Sequence, residues 1–160
     1  MIEVRRTKDF EKDLPLLRKI CNEELYPDFS QREVEEFLKD SAFPYTQFFL
    51  ACHANRVLGF CSWSVEDMED GEIILKLSFL AVAGKCQKNG VGKKLLLDSL
   101  DDVREFWAAR GKRARSVFLN VKETNEALEF YRKVLEPDQE TLFKGAWRDG
   151  SGIVTLFKKL

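Results

Sequence analysis

The 160 residues, 44% apolar and 12% aromatic, have the size and composition of one globular domain with a substantial core and leave no room for two. Lys plus Arg (26) nearly cancels Asp plus Glu (27), which excludes the cationic excess of a nucleic-acid or membrane-surface binder. The charge is uneven along the chain: residues 1–86 hold 11 basic and 16 acidic side chains, net −5, and residues 87–160 hold 15 and 11, net +4. That division fits two surfaces for differently charged partners, or an ordinary scatter of solvated charge.

Met1-Ile2-Glu3-Val4-Arg5 reads as a strand that begins at once rather than as a secretory leader, and no apolar run approaches the roughly 18 residues of a membrane span. The expectation is a cytoplasmic protein with no membrane and no nucleic-acid partner. Cys21, Cys52, Cys61 and Cys86 form no CxxC pair, so free thiols and no metal site are expected. His53, the only histidine, reads as a partly buried strand residue; Cys52 beside it points to the opposite face, so the two form no local dyad.

In chain order, residues 2–6 predict a strand. Asp13-Leu14-Pro15 has the pattern of a helix first turn, with Leu17, Cys21 and Leu25 as the apolar stripe behind it. Ser30 and Glu33 have capping-box spacing ahead of Val34, Phe37 and Leu38, which predicts a short second helix ending near Asp40. Phe48–Ala54, Val57–Val65 and Glu72–Val82 read as three strands of an antiparallel meander, with turns at Asn55-Arg56 and Asp67–Gly71. Leu96, Leu100, Val103 and Trp107 predict a long helix opening at Gly90 and stopping at Gly111. Arg115–Val121 reads as a strand, and Asn125–Val134 as a helix presenting Ala127, Phe130, Tyr131 and Val134. Strands at Thr141–Trp147 and Ile153–Phe157 close the chain. The order β-α-α-β-β-β-α-β-α-β-β is that of one α/β domain spanning 1–160, with a mixed, mostly antiparallel sheet of six to seven strands and about four helices.

The chemistry gathers where the third strand of the meander runs into the long helix, at Val82-Ala83-Gly84-Lys85-Cys86-Gln87-Lys88-Asn89-Gly90-Val91-Gly92-Lys93-Lys94. Glycines let the backbone approach a ligand there, and the first N–H groups of the helix have no intrahelical partner. The positive end of the helix dipole and Lys88, Lys93 and Lys94 make a phosphate or pyrophosphate the natural guest. Neither familiar phosphate loop fits: GxxxxGK requires glycine at Gln87, and GxGxxG requires it at Leu95.

The segment does match Q/R-x-x-G-x-G/A, as Gln87-Lys88-Asn89-Gly90-Val91-Gly92. Here the sequence resembles the GCN5-related N-acetyltransferase (GNAT) superfamily. Its context agrees: the motif follows Leu80-Ala81-Val82 and precedes Phe118-Leu119-Asn120-Val121 and Ala127-Leu128-Glu129-Phe130-Tyr131 in the order that family uses. The resemblance implies that backbone N–H groups of Gln87, Lys88, Asn89, Gly90, Val91 and Gly92, with Lys93, hold the pyrophosphate of acetyl-coenzyme A. It implies that the pantetheine arm pairs with the backbone at Leu80 and Val82, where an N–H can polarise the thioester carbonyl. Tyr131 matches the tyrosine that protonates the departing thiolate, a role suited to a phenol that keeps its proton at neutral pH; its competing role is a structural aromatic.

Two positions depart from the pattern. The pantetheine-contacting asparagine seven residues before the tyrosine is Thr124 here, with Asn125 one place later, and the Gly-Phe after the helix is replaced by Val134-Leu135-Glu136-Pro137. The residue that relieves the acceptor ammonium of its proton is also unmarked. The position that carries a glutamate in the histone-acetylating branch is Lys76. Glu72 is the first carboxylate to consider, while Glu66, Asp67, Glu69 and Asp70 crowd the preceding turn and could attract a cationic amine. Glu23, Glu24 and Asp28 are a further acidic group. The implied activity is N-acetylation of a primary amine by direct attack in a ternary complex. A non-catalytic acyl-coenzyme A-binding module is the alternative, as is a nucleotide-binding protein that uses the same loop. Exposed edge strands with Phe43, Tyr45, Phe48 and Phe49 could serve a homodimer or the core.

Overall fold

Asp9 starts the first helix. Its Oδ1 accepts the Lys12 N–H at 3.1 Å and its carbonyl the Asp13 N–H at 3.2 Å, the bonds of a capping residue. The Asp13-Leu14-Pro15 pattern predicts a later start, and the structure corrects it. Pro15 stands inside the helix, close enough to its beginning that the missing donor forfeits a single bond near the first turn. Released from capping, Asp13 is buried and takes both guanidinium nitrogens of Arg5 at 2.9 and 3.0 Å.

The computed structural model describes residues 1–24, 32, 33, 36 and 43–160. Its elements are β1 (Glu3–Arg6), α1 (Phe10–Glu24), β2 (Thr46–His53), β3 (Arg56–Glu69), β4 (Glu72–Val82), a short helical turn at Gly84–Cys86, α2 (Val91–Ala108), β5 (Arg113–Lys122), α3 (Ala127–Leu135), β6 (Gln139–Phe143) and β7 (Ile153–Lys159). Seven strands form a mixed sheet in the order β1-β2-β3-β4-β5-β7-β6. The β4–β5 pair is parallel, and β1–β2, β2–β3, β5–β7 and β6–β7 are antiparallel. The α/β class and the mostly antiparallel sheet are as expected, with three helices among the described residues. The short helix expected at 30–40 lies outside those residues except for Arg32, Glu33 and Glu36, where Arg32 donates to Glu36 one turn on at 2.7 Å. Among the described residues no helix is long and apolar enough to cross a membrane.

The chain divides into two compact units, Met1–Ser64 with Phe79–Glu105, and Val65–Ser78 with Phe106–Leu160. In the first, alternation along β2 and β3 sends side chains to both faces of the sheet. Phe48, Leu50 and Phe60 pack with Leu17 and Ile20 of α1 and Ala81 of β4. Of the four aromatics considered for a dimer contact, Phe48 and Phe49 are therefore core, and Phe43 and Tyr45 are exposed. Trp63 donates its indole N–H to Ser99 Oγ of α2 at 2.8 Å, Cys61 donates its thiol to the same oxygen at 3.2 Å, and Ser99 donates to the Leu96 carbonyl. The fully buried Ser99 hydroxyl is thereby satisfied, as a polar atom in a core must be. Burial pushes the Cys61 thiol up to about 12, the Ser99 hydrogen bond only partly offsetting it, so this cysteine is no nucleophile.

The second unit holds β5, β7 and β6 with the beginning of β4. Helix α3 buries Leu128, Tyr131 and Leu135; of the expected face Ala127, Phe130, Tyr131 and Val134, Tyr131 is buried and the other three are half-buried at its edges. Asn125 begins it, its Oδ1 accepting the Ala127 N–H at 2.8 Å. Glu136 ends it in the left-handed conformation, φ 50°, with its N–H on the Arg132 carbonyl, and so fills the place the absent glycine leaves. The β3–β4 hairpin is tighter than the expected Asp67–Gly71 turn. Asp70 and Gly71, with φ 48° and 82°, form a two-residue turn of the kind that matches strand twist, and Asp67 and Glu69 belong to β3. Likewise β6 stops at Phe143 and not at Trp147, because Gly145 turns the chain (φ 66°) and the Trp147 N–H closes on the Ser151 carbonyl. His53, expected to be partly buried, is exposed at the end of β2, its Nδ1 beside the chain terminus at Met1.

Two outcomes follow. A methyl at Gly59 would stand 2.7 Å from the Ala81 carbonyl oxygen and 3.3 Å from Val82 Cα, so Gly59→Ala should cost about 1–3 kcal/mol, read as a lowered Tm. The Arg5 hydrogen bond holds the Asp13 carboxyl below its ordinary range despite burial. Because the folded-state value is depressed, the pair stabilises at pH above the usual carboxylate range and is lost as pH falls through the folded value. Asp13→Asn should therefore be about 1–2 kcal/mol less stable at pH 7, toward the low end because Arg5 is part-exposed, and urea titrations should show the deficit closing below about pH 4.

Candidate functional site

The end of β4 is fixed by its neighbour. Between Ala51 and Cys52 the β2–β3 register shifts, so that Ala51 pairs with Gly59 and Cys52 with Val57. Leu58 is the extra residue of a bulge, and its carbonyl accepts the Ala83 N–H at 2.8 Å. Gly59 lets β4 approach at this point. An isolated glycine in the apolar run 57–65 is the sequence signal for such a bulge or close approach.

Beyond Ala83 the chain makes its helical turn, with the Cys86 N–H on the Ala83 carbonyl at 2.7 Å, and the Gln87 side chain reaches back from Nε2 to the Val82 carbonyl at 3.1 Å. Gln87 thus ties the loop to the strand it leaves. Lys88 and Gly90 both take the left-handed conformation, φ 64° and 80°, a backbone pattern that turns successive N–H groups toward one concave side. Helix α2 then opens with its first bond from the Lys94 N–H to the Gly90 carbonyl at 3.0 Å, which leaves the N–H groups of Val91, Gly92 and Lys93 ahead of any intrahelical acceptor. Gln87, Lys88, Asn89 and Gly90 are exposed, whereas Val91 is buried and anchors the first turn. Around Gly90 no atom lies within 4 Å of where a Cβ would stand. Backbone donors, the dipole and an open face are the features that a site for an anion requires. Of the three nearby lysines, Lys88 and Lys93 are exposed, while Lys94 is engaged by Asp98 one turn on, at 2.6 Å.

Leu80 and Val82 lie on the strand that leads into this loop. The Ala83 N–H points to β3, and strand backbone groups alternate sides, so Leu80 and Val82 direct theirs away from β3. The described β4–β5 ladder runs from Glu72↔Arg113 to Lys76↔Phe118, and β4 continues to Val82.

Tyr131, Asn125, Glu72 and Glu66 belong to the second unit. Tyr131 is buried, its ring meeting Phe130 edge-on at 5.2 Å, and Asn125 is the cap of α3. Glu72 stands on the first rung of the β4–β5 ladder, 3.7 Å from Arg115. Glu66, on β3 rather than in a turn, faces Lys76 at 3.4 Å. Asp28 and the side chains of Glu23 and Glu24 lie outside the described residues.

Residues 44–134 match the family model described as Acetyltransferase (GNAT) domain. With that span covering more than half of its length, the chain belongs to the GNAT acetyltransferase family. No curated protein matches the chain in sequence. Among solved structures, the chain is similar to the ribosomal-protein-S18-alanine N-acetyltransferase from Escherichia coli, with TM-score 0.75 and 18% identity over 99% of this chain and 94% of that one. The NatC complex bound to Gag peptide and CoA gives TM-score 0.74 and 15% identity over 99% and 98%. An aminoglycoside acetyltransferase from an uncultured soil metagenomic sample, in complex with sisomicin, gives 0.64 and 22% over 83% and 86%. At these identities the likeness is one of fold.

The loop geometry separates the lysines. Lys88→Gln and Lys93→Gln should each weaken binding of inorganic pyrophosphate about two- to fivefold, the effect of a single partly exposed charge near a helix N-terminus. Lys94→Gln should weaken it less. Titration calorimetry at two salt concentrations checks both the ranking and its loss on screening.

Proposed function

We propose that this protein transfers the acetyl group of acetyl-coenzyme A to a primary amine by direct attack within a ternary complex. The observation that carries the reading is the loop Gln87–Lys93, where exposed backbone donors, two left-handed residues and the open end of α2 fit a pyrophosphate. Lys88 and Lys93 add charge. The backbone at Leu80 and Val82, directed away from β3, suits the amide groups of an extended pantetheine arm, and an N–H there suits the thioester oxygen. When bound, acetyl-coenzyme A supplies the activated carbonyl and a thiolate leaving group. Tyr131 is the proton donor in this reading, a phenol able to give its proton to sulfur at neutral pH.

The position of Asn125 supports a capping role, with its side-chain oxygen committed to the Ala127 N–H. Glu72 is given no proton transfer. It opens β4 inside the paired part of the ladder and faces Arg115, the surroundings of a structural carboxylate. The acceptor is read as an amine on a peptide or a small molecule, in keeping with the alanine and aminoglycoside acetyltransferases that share the fold.

Thiol release from acetyl-coenzyme A, followed with a panel of amines and of peptides with free N-termini, tests this function. Tyr131→Phe should lower kcat about 10²-fold or more, the range for loss of a general acid, with little change in coenzyme A affinity. Coenzyme A binding without turnover in any arm would favour an acyl-coenzyme A-binding module. A phenylalanine variant as active as the parent would remove Tyr131 from the chemistry.

A further inference from the structure

The strand β1 ends the sheet, and among the described strands it pairs with β2 alone. One bond fixes which of its backbone groups face outward. The Thr7 N–H goes to the Phe48 carbonyl at 2.8 Å, in the same register as Glu3↔Cys52 and Arg5↔Leu50. Backbone groups alternate sides along a strand, so Glu3 and Arg5 bond β2, whereas Val4 turns its N–H and C=O away from β2. A cleft of about 1210 Å³ is lined by every residue from Glu3 to Asp9, so the strand borders open space. An edge of this kind is a template for a further strand.

A closed pair of copies is isologous, so β1 would meet β1 antiparallel about a twofold axis. The axis has to pass through a residue if outward groups are to face outward groups. On Glu3, Arg5 or Arg6 it sets a charge against its own copy, which is unfavourable. On Val4 it sets Val4 against Val4, Glu3 against the partner subunit's Arg5, and Arg5 against the partner subunit's Glu3. In that register the two Val4 residues exchange both backbone bonds, and the Glu3–Arg5 pairs fall on the non-bonded rungs, where facing side chains stand closer. Both side chains lie on one face of the strand. Glu3 is exposed, and Arg5, 41% exposed, is held in place by Asp13 with two of its five donors. The opposite edge, β6, carries Glu140 as its one charged residue, already engaged by Arg132, and offers a copy of itself no such match.

We propose that two copies of this protein associate through β1, antiparallel about a twofold axis at Val4, with two reciprocal Glu3–Arg5 ion pairs. Nothing in this pairing depends on the acetyl-transfer reading above. The contact involves only a few residues from each copy, so the dimer is reversible rather than obligate, and its charge pairs make it weaken as salt rises. The Arg5–Asp13 bond has already ordered the guanidinium, which lowers what pairing with a second carboxylate costs in side-chain freedom.

Sedimentation velocity of the full chain, from micromolar to millimolar concentration, tests the association. The parent should pass from monomer to dimer, and added salt should move the transition to higher concentration. Glu3→Lys sets like charges on both rungs and should raise the dimer Kd about tenfold or more. Val4→Pro removes the outward N–H at the axis and spares the bonds to β2, as proline on the free side of an edge strand does. It should weaken association while circular dichroism stays that of the parent. A disulfide reads the register. Under mild oxidation Val4→Cys should link two copies through position 4, whose Cα atoms stand about 5.5 Å apart across a bonded rung. Glu3→Cys, about 7–8 Å from its own copy along the diagonal, should not link. Peptide mapping separates these links from any made by Cys21, Cys52, Cys61 or Cys86. A parent that stays monomeric over the whole range leaves the edge to water or to a different chain and overturns the proposal. A dimer indifferent to Glu3→Lys, or one linked through position 3 in place of position 4, overturns it as well.

Discussion

One backbone hydrogen bond, from the Ala83 N–H to the Leu58 carbonyl, sets the geometry on which the candidate site is built. It exists because the β2–β3 ladder carries an extra residue at Leu58, and because Gly59 next to it has no side chain to hold β4 away. With Ala83 fixed, the chain has a defined point of departure. The helical turn, the Gln87 side chain on the Val82 carbonyl and the two left-handed residues then decide where the donors of α2 point. Any one of these could be exchanged for another local solution. The bulge holds all of them in place because it acts before the loop begins.

The first unit carries this arrangement on a sheet with packing on both faces. Leu17 and Ile20 of α1 cover Phe48, Leu50 and Phe60, while α2 is registered against β3 through the Ser99 hydroxyl that Trp63 and Cys61 share. A hydrogen bond at the second or third turn of a helix fixes its rotation better than apolar contact does, since it is lost over a few tenths of an ångström. The N-terminal donors of α2 inherit that rotation.

Much of this was legible in the residues. The period-two strands, the four-and-three spacing of Leu96, Leu100, Val103 and Trp107, and the Gln87–Gly92 motif all express local rules, and β4 runs over the expected Glu72–Val82. The rest depended on competition between elements. Asp13 and Asp9 are both plausible caps by type, and Asp13 was claimed by Arg5 across the unit. On α3 the adjacent aromatics Phe130 and Tyr131 leave the centre of the buried face open, and packing centres it on Tyr131 with Leu128 and Leu135. The Glu66–Lys76 contact joins two strands through a register that only the turn at Asp70-Gly71 determines. The motif marked the loop between β4 and α2, but the commitment of Lys94 to Asp98 and of Asn125 to the Ala127 N–H is a matter of side-chain partners.

The buried Ser99 also gives the protein an internal optical signal. Trp63 is almost wholly enclosed, and its indole N–H has a fixed hydrogen-bond partner on the helix that opens at the loop. Indole emission responds to exactly this kind of surroundings, so the part contributed by Trp63 reports whether α2 is seated on β3. In a background where the half-exposed Trp147 and the buried Trp107 are replaced by phenylalanine, the native fluorescence would read directly whether α2 and the Gln87–Lys93 loop that opens it are ordered, without a label and without a substrate.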